Sequence, residues 1–329
     1  MRIGDNPAKN RPLRYKEAYH KVCIPVYIPN TENYFSHSLD IFKICLSSLF
    51  KTIHEKTSIC IISNNCHDTV LDFLNQCLVD GKIDTLILNK QNKGKVDALS
   101  EVLRGSFEQY ITIADCDTFF YQGWQQETEK LFSFVPHLGS VSQLPLPAAC
   151  FVNSEWVWFQ SIFKGKIIKK DNLDTDNLFL FKKSIGVSLE FGDIEKKPFY
   201  FKYKNTLSCI GSGHFCFSIH KNVIPHIPHK KSGSSIVGAE NDIFEMAISK
   251  AGFLRLSTAK GYVQHMGNHL ENWMEIELQN MPEYKKELFD TRTINPFKFI
   301  LGLKTILYKF LHSKRLRGFR LKLLNINYE

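Results

Sequence analysis

Between residues 22 and 115 the chain alternates β-rich runs with amphipathic stretches. That alternation limits the possible folds more than any other feature of the sequence. "VCIPVYI" (22–28) is a β-rich run closed by Pro29-Asn30. Residues 36–54, "SHSLDIFKICLSSLFKTIH", repeat apolar side chains at helical spacing, with Ser36 or Ser38 placed to cap. "SICIIS" (58–63) reads as a second strand and "DTVLDFLNQCLVDG" (68–81) as a helix stopped by Gly81. "IDTLILN" (83–89), "KVDALSEVLRG" (95–105) and "QYITIAD" (109–115) supply a third strand, a helix ended by Gly105 and a fourth strand. A β-α-β-α-β-α-β order at this spacing predicts an α/β fold with a mostly parallel sheet flanked by helices. In open sheets of that kind, ligands bind beyond the carboxyl ends of the strands.

The fourth strand ends in an unusual way. "ITIADCDTFF" (111–120) drives a β-branched run into Asp115 and Asp117, one residue apart. Two close carboxylates repel unless something positive lies between them. A solvated turn would satisfy them; so would a divalent cation. Carboxylate oxygens suit Mn²⁺ or Mg²⁺, and a diphosphate can complete the shell of such an ion. The position at a strand end favours the cation.

The second half is less regular. "SVSQLPLPAACFV" (140–152) is a strand region broken by proline, and "SEWVWFQSIFKG" reads as an aromatic helix or lid. "LSCIGSGHFCFSIHKNVI" (207–224) alternates around a Gly-rich turn, "ENDIFEMAISKAGF" (240–253) is an amphipathic helix, and "LRLSTAKGYVQHMGN" (254–268) is a strand or hairpin carrying His265. His220, His226 and His229, interspersed with prolines and Lys230-Lys231, read as a surface loop. The nine cysteines are scattered without a CxxC pair, which predicts buried, reduced thiols.

Taken in order, "CIPVYIPN", "CIISNN", "NKQNKGKVDALSEVL" and "ITIADCDTFF" resemble the nucleotide-sugar half of a GT-A (Rossmann-like) glycosyltransferase, similar to family 2. "IGSGHFCFSIHKNVI" resembles the Gly-rich acceptor-side hairpin, and "GAENDIFEMAISKAGF" resembles the acidic helix start of the beta-1,4-galactosyltransferases. The resemblance spans roughly residues 20–270. It implies a metal-dependent, inverting transfer of sugar from a nucleotide-sugar donor, with UDP-linked donors first in line, to a glycan or lipid-linked saccharide acceptor. Asp117 would hold the metal, Asp115 would contact it through water or meet the ribose, and His265 would be a further ligand or else a buried strand histidine. Lys95 would meet phosphate or sugar, or simply be solvated, and Asn64 falls where the family usually places an aspartate against the nucleotide. Asp242, with Glu240 as the other choice, would take the acceptor's proton; either could instead serve as a helix cap. Trp156 and Trp158 would stack on a sugar or pack in the core, and Gly211, Gly213 and His214 would line the acceptor side.

Two rivals fit the same layout. A sugar-phosphate nucleotidyltransferase normally needs a Gly-rich loop after its first strand, which "YIPNTENYF" does not supply. A catalytically inactive sugar-binding or membrane-scaffold protein is the other, suggested by Asn64-Asn65.

The domain division expected is 1–270 for the catalytic unit (donor half about 20–120, acceptor half about 140–270) and 271–329 for a basic helical extension. From Lys285 onward eleven Lys/Arg face three acids, so +8 of the net +9 belongs to this tail. Residues 295–311 begin with Asn-Pro and put Phe299, Ile300, Leu303, Ile306, Leu307, Phe310 and Leu311 on one side. A one-sided apolar helix followed by the basic run Lys314–Lys322 predicts contact with an anionic membrane surface. No nucleic-acid module accompanies the charge, so nucleic acid is not an expected partner. With no secretory signal and no 18-residue apolar run, the expected location is cytoplasmic, peripheral at the inner face of the membrane.

Overall fold

The computed structural model describes residues 4, 18–228, 232 and 241–282, without the side chains of Asn241 and Asp242. The tail from 283 and the residues around Glu240 lie outside that description.

The alternating segment folds as expected, except that His37, and neither Ser36 nor Ser38, stands at the N-cap of the first helix, with no side-chain cap bond. β1 (His20–Val26), α1 (Ser38–Thr52), β2 (Thr57–Asn64), α2 (Asp68–Val79), β3 (Thr85–Asn89), α3 (Lys95–Arg104) and β4 (Tyr110–Ala114) follow one another. β1 pairs in parallel with both β2 and β4, and β2 with β3. Alternate side chains of one strand leave for opposite faces. Val22, Ile24, Ile59 and Ile61 therefore join Phe42, Leu49 and Leu74 of α1 and α2. Cys23, Cys60 and Ile62 join Val96, Leu99 and Leu103 of α3 on the other side. Pro25 falls past the last β1–β4 pairing, Cys23 with Ile113, so it removes no donor from that ladder.

Beyond β4 come β5 (Thr118–Phe120), α4 (Trp124–Phe134), β6 (Leu138–Ser142), α5 (Glu155–Phe163), β7 (Lys166–Lys169), α6 (Thr175–Ser184) and α7 (Asp193–Lys196). β8 (Phe199–Tyr203), β9 (Thr206–Cys209), β10 (Cys216–His220), α8 (Met246–Lys250), β11 (Leu254–Thr258), β12 (Val263–His265) and α9 (Asn272–Asn280) complete the described chain. Ten strands form one sheet in the order β3-β2-β1-β4-β10-β6-β11-β9-β8-β7. From the pairings, β10, β9 and β7 run against the other seven. β5 and β12 form a separate two-stranded sheet in which His265 faces Thr118.

The reversal at β10 has a functional consequence. Cys216, where β10 begins, sits opposite Ala114, where β4 ends. The glycine hairpin before β10 is thus delivered to the carboxyl edge of the parallel block, beside Asp115 and Asp117. α9 lies on α1, where Lys51 donates to the carbonyl of Leu278 at 2.8 Å. No described helix is long and apolar enough to cross a membrane. All nine cysteines are free, and only Cys66 and Cys116 are less than fully buried.

Candidate active site

The Asp115–Asp117 turn is fixed by backbone bonds on both sides. Asp115 N–H donates to Phe215 O at 2.7 Å, tying the turn to the hairpin strand. Met266 N–H donates to Asp117 O at 2.8 Å, tying it to the end of β12. Each carboxylate has a separate partner. Lys95 Nζ, from the first turn of α3, lies 2.5 Å from Asp115 Oδ1 and also reaches His214 O at 3.4 Å. His265 Nε2 lies 3.3 Å from Asp117 Oδ2. Burial pushes the Asp117 carboxyl above its usual range; His265 opposes that, and the charge of Asp115 adds to it.

An oxygen and a nitrogen 3.3 Å apart are spaced as two ligands of one ion at about 2.1 Å from each would be. The donor set of Asp117 and His265, with Asp115 close by, therefore fits a divalent cation. His265 Nδ1 is engaged on its far side by Ser184 Oγ at 3.0 Å. The rings of Phe181 and Phe215 stand edge-on to the imidazole.

These groups border a cleft of about 270 Å³ whose lining includes Val26, Tyr27, Tyr34, Phe35, Asn64, Asn92, Lys95, Asp115, Asp117 and Asn268. Asn64 is only 3% exposed and its amide is largely committed. Its Oδ1 accepts from Lys93 N at 3.0 Å and its Nδ2 donates to Asn92 Oδ1 at 2.7 Å, while Asn92 Oδ1 also accepts from Gly94 N at 2.8 Å. Asn64 thus shapes the 92–94 loop that launches α3 with Lys95 at its start. Gly94 takes φ of 77° there, a conformation a side chain would resist.

Other expectations meet a different outcome. Trp156 and Trp158 are 1% and 8% exposed, in the core beneath β11. Their indole N–H groups donate to Ser249 O at 2.7 Å and to Cys150 O at 3.2 Å. Both are packing residues: two positions apart, they leave opposite sides of α5, Trp156 toward Ser249 and Trp158 onto Phe151 and Phe199, and neither lines the cleft. Gly211 is required by close approach, since a Cβ there would stand 2.2 Å from the backbone oxygen Leu146 O, whereas one on Gly213 would meet only the movable tip Leu146 Cδ1 at 2.7 Å. They let the hairpin press on residue 146, and His214, 40% exposed at its side chain, is the member left open. His220 is not in a surface loop. It is buried at the end of β10, bonded to Gln109, with burial lowering its pKa to about 4. Glu240 lies outside the described residues. Asp242 has its backbone in a short π-helix, Asn241–Glu245, but its side chain is outside the description.

Three features were not read from the sequence: Ser184, the Tyr34–Phe35 rim, and a buried cluster of His20, His54 and Glu129. The cluster is the one group of three among the described residues whose ligating atoms all lie within 4.8 Å of one another. Its spacing is that of hydrogen bonds. Glu129 Oε1 stands 2.7 Å from His20 Nδ1 and 2.9 Å from His54 Nε2. The far nitrogens meet Thr112 Oγ1 and Thr57 Oγ1. It sits at the amino end of β1, away from the cleft.

A parallel block carrying two carboxylates and a histidine at its carboxyl edge, with a glycine hairpin brought alongside, is an arrangement of the GT-A fold. Residues 22–182 match the family model described as Glycosyl transferase family 2. Among solved structures the chain is similar to the mannosyltransferase PcManGT from Pyrobaculum calidifontis in complex with GDP-Man and Mn²⁺ (11% identity, 76% of this chain and 61% of that one, TM-score 0.43). It is also similar to S. aureus TarS 1-349 in complex with UDP-GlcNAc (12% identity, 92% and 75%, TM-score 0.45). GalNAc-T7 with UDP, GalNAc and Mn²⁺ gives 12% identity, 77% and 44%, and a TM-score of 0.45. The chain thus spans 61% of the first of these proteins and less than half of the third. No curated protein sequence matches it.

Proposed function

We propose that this glycosyltransferase uses a nucleotide diphosphate sugar, UDP-linked before others, and Mn²⁺ or Mg²⁺. The acceptor in this reading is a glycan or lipid-linked saccharide, and the transfer inverts the anomeric centre. The observation that carries the proposal is the meeting of Asp117 and His265 at 3.3 Å on the border of the cleft, next to the Lys95–Asp115 pair. Asp117 and His265 would hold the cation, with Asp115 reaching it through water. When bound, it would supply positive charge to the departing diphosphate. Lys95 offsets the charge of Asp115 and would turn its remaining N–H donors toward phosphate oxygens at the start of α3. Asn64 keeps the 92–94 loop in place. Asp242 is assigned the acceptor's proton, with Glu240 as the alternative, since attack on the anomeric carbon requires a base within reach of the hydroxyl. The basic tail is assigned to an anionic membrane surface at the cytoplasmic face.

Calorimetry with UDP and Mn²⁺ tests the metal assignment. Asp117→Asn is expected to keep the fold and lose metal-dependent UDP binding; unchanged affinity would remove Asp117 from the site. A panel of nucleotide sugars, scored for Mn²⁺-dependent hydrolysis, tests the choice of donor.

A further inference from the structure

We infer that Ser184, in the last turn of α6, is a positioning residue for the cation site: it holds the hydrogen of His265 on Nδ1 and so leaves Nε2 as the atom offered to the metal. This rests on reading Asp117 and His265 as ligands. A serine hydroxyl has one hydrogen and can accept as well. Ser184 Oγ directs that hydrogen to Phe181 O at 2.8 Å, inside its own helix. Toward His265 Nδ1, 3.0 Å away, the oxygen can then only accept. Nδ1 must therefore carry a hydrogen, whether the ring is neutral or charged. In the neutral ring Nε2 is bare, and it is Nε2 that faces Asp117 Oδ2. Without the serine, the nearby carboxylate would favour the other tautomer, with the hydrogen on Nε2 between the ring and Asp117. A metal would then have to displace it.

A serine bonding back to a carbonyl one turn earlier is common at helix ends and by itself means nothing. Here the rest of α6 is strapped to the same β-strand region. Asp174 Oδ2, at the start of the helix, accepts from Gly261 N at 2.6 Å, and Asn177 Nδ2 bonds both Asp174 Oδ2 and Gly261 O. Phe181 stacks on Phe215 and stands edge-on to His265. Asp174, Asn177, Phe181 and Ser184 share one helix face, and that face follows the chain from Gly261 to His265. The helix thus acts as a splint along β12, with Ser184 at the ligand end. Partners of this kind on the far nitrogen of a metal-bound histidine commonly change metal affinity by about 10- to 100-fold.

The test uses the full chain. Mn²⁺ is titrated in the presence of saturating UDP, with free Mn²⁺ followed by electron paramagnetic resonance. Imidazole ¹⁵N resonances are recorded on the metal-free protein. Ser184→Ala is expected to weaken Mn²⁺ by about 10- to 100-fold and to remove the His265 Nδ1–H signal, with the thermal midpoint close to the wild type. Ser184→Thr, which keeps the hydroxyl, is expected to restore both. Adding Ser184→Ala to His265→Ala should cost nothing further. Wild-type Mn²⁺ affinity in Ser184→Ala, with loss in His265→Ala, would overturn the inference and leave the metal reading intact. If His265→Ala binds Mn²⁺ normally, the ligand reading of His265 falls. A persistent Nδ1–H signal in Ser184→Ala would then overturn the role of Ser184 independently.

Discussion

Removing the carboxylate of Glu129 should destabilise the protein in a way that depends on pH. Glu129 is about as buried as a charge can be, with 1% of its side chain exposed. Its Oε1 faces His20 and His54, and its Oε2 accepts from Tyr19 Oη at 2.5 Å. Burial alone would raise its carboxyl. Hydrogen bonds and charge from the two histidines override burial and hold it at about 2, against an ordinary 4.5. That difference of about 2.5 units corresponds to about 3 kcal/mol of stability at neutral pH. A depressed carboxyl contributes fully above its unfolded pKa and loses its contribution as pH falls toward the folded one. About a quarter of it is lost by pH 4 and more than half by pH 3. Glu129→Gln should therefore cost about 3 kcal/mol at pH 7, within the range for breaking a buried ion pair. Urea unfolding at pH 7, 4 and 3 measures this, and the gap between wild type and variant should narrow on acidification. A gap below about 1 kcal/mol at pH 7, or one that widens in acid, would refute the reasoning.

Gly211→Ala should destabilise by more than about 2 kcal/mol, because φ is 128° and the new methyl would meet Leu146 O; a thermal midpoint within a degree of wild type would contradict this. Asp242→Asn should slow transfer by at least about 10²-fold with donor binding unchanged in calorimetry. The same effect from Glu240→Gln alone would move the base there. Deleting residues 295–329 should abolish co-sedimentation with anionic vesicles at low salt and leave UDP–Mn²⁺ binding in place. A deletion variant that unfolds would assign the segment to the core.

The strand-and-helix order of residues 22–115 was legible because it is local: side-chain period and chain-breaking residues decide each element, and a parallel block follows from their alternation. Asp115 and Asp117 were legible for the same reason, as a departure from a β-rich run at a strand end. Lys95 could be placed at a helix start, but not against Asp115. That pairing depends on how α3 crosses the sheet. His265 could be named from its strand, yet its contact with Asp117 requires β12 to pair with β5, more than a hundred residues away in sequence. Trp156 and Trp158 show the limit from the other side. An aromatic run has the same composition whether it lines a sugar site or a core, and only the rotation of α5 against β11 decides. The glycines at 211 and 213 announced a tight hairpin, while the neighbour that makes Gly211 necessary, the backbone of Leu146, is remote in sequence. Glu129, His20 and His54 carried no local signal at all, for a buried carboxylate becomes intelligible only when its three donors are brought to it. The sequence determined the elements and the kinds of chemistry available. Tertiary structure decided which charges meet, since electrostatic and packing energies depend on distances that the chain's order does not contain.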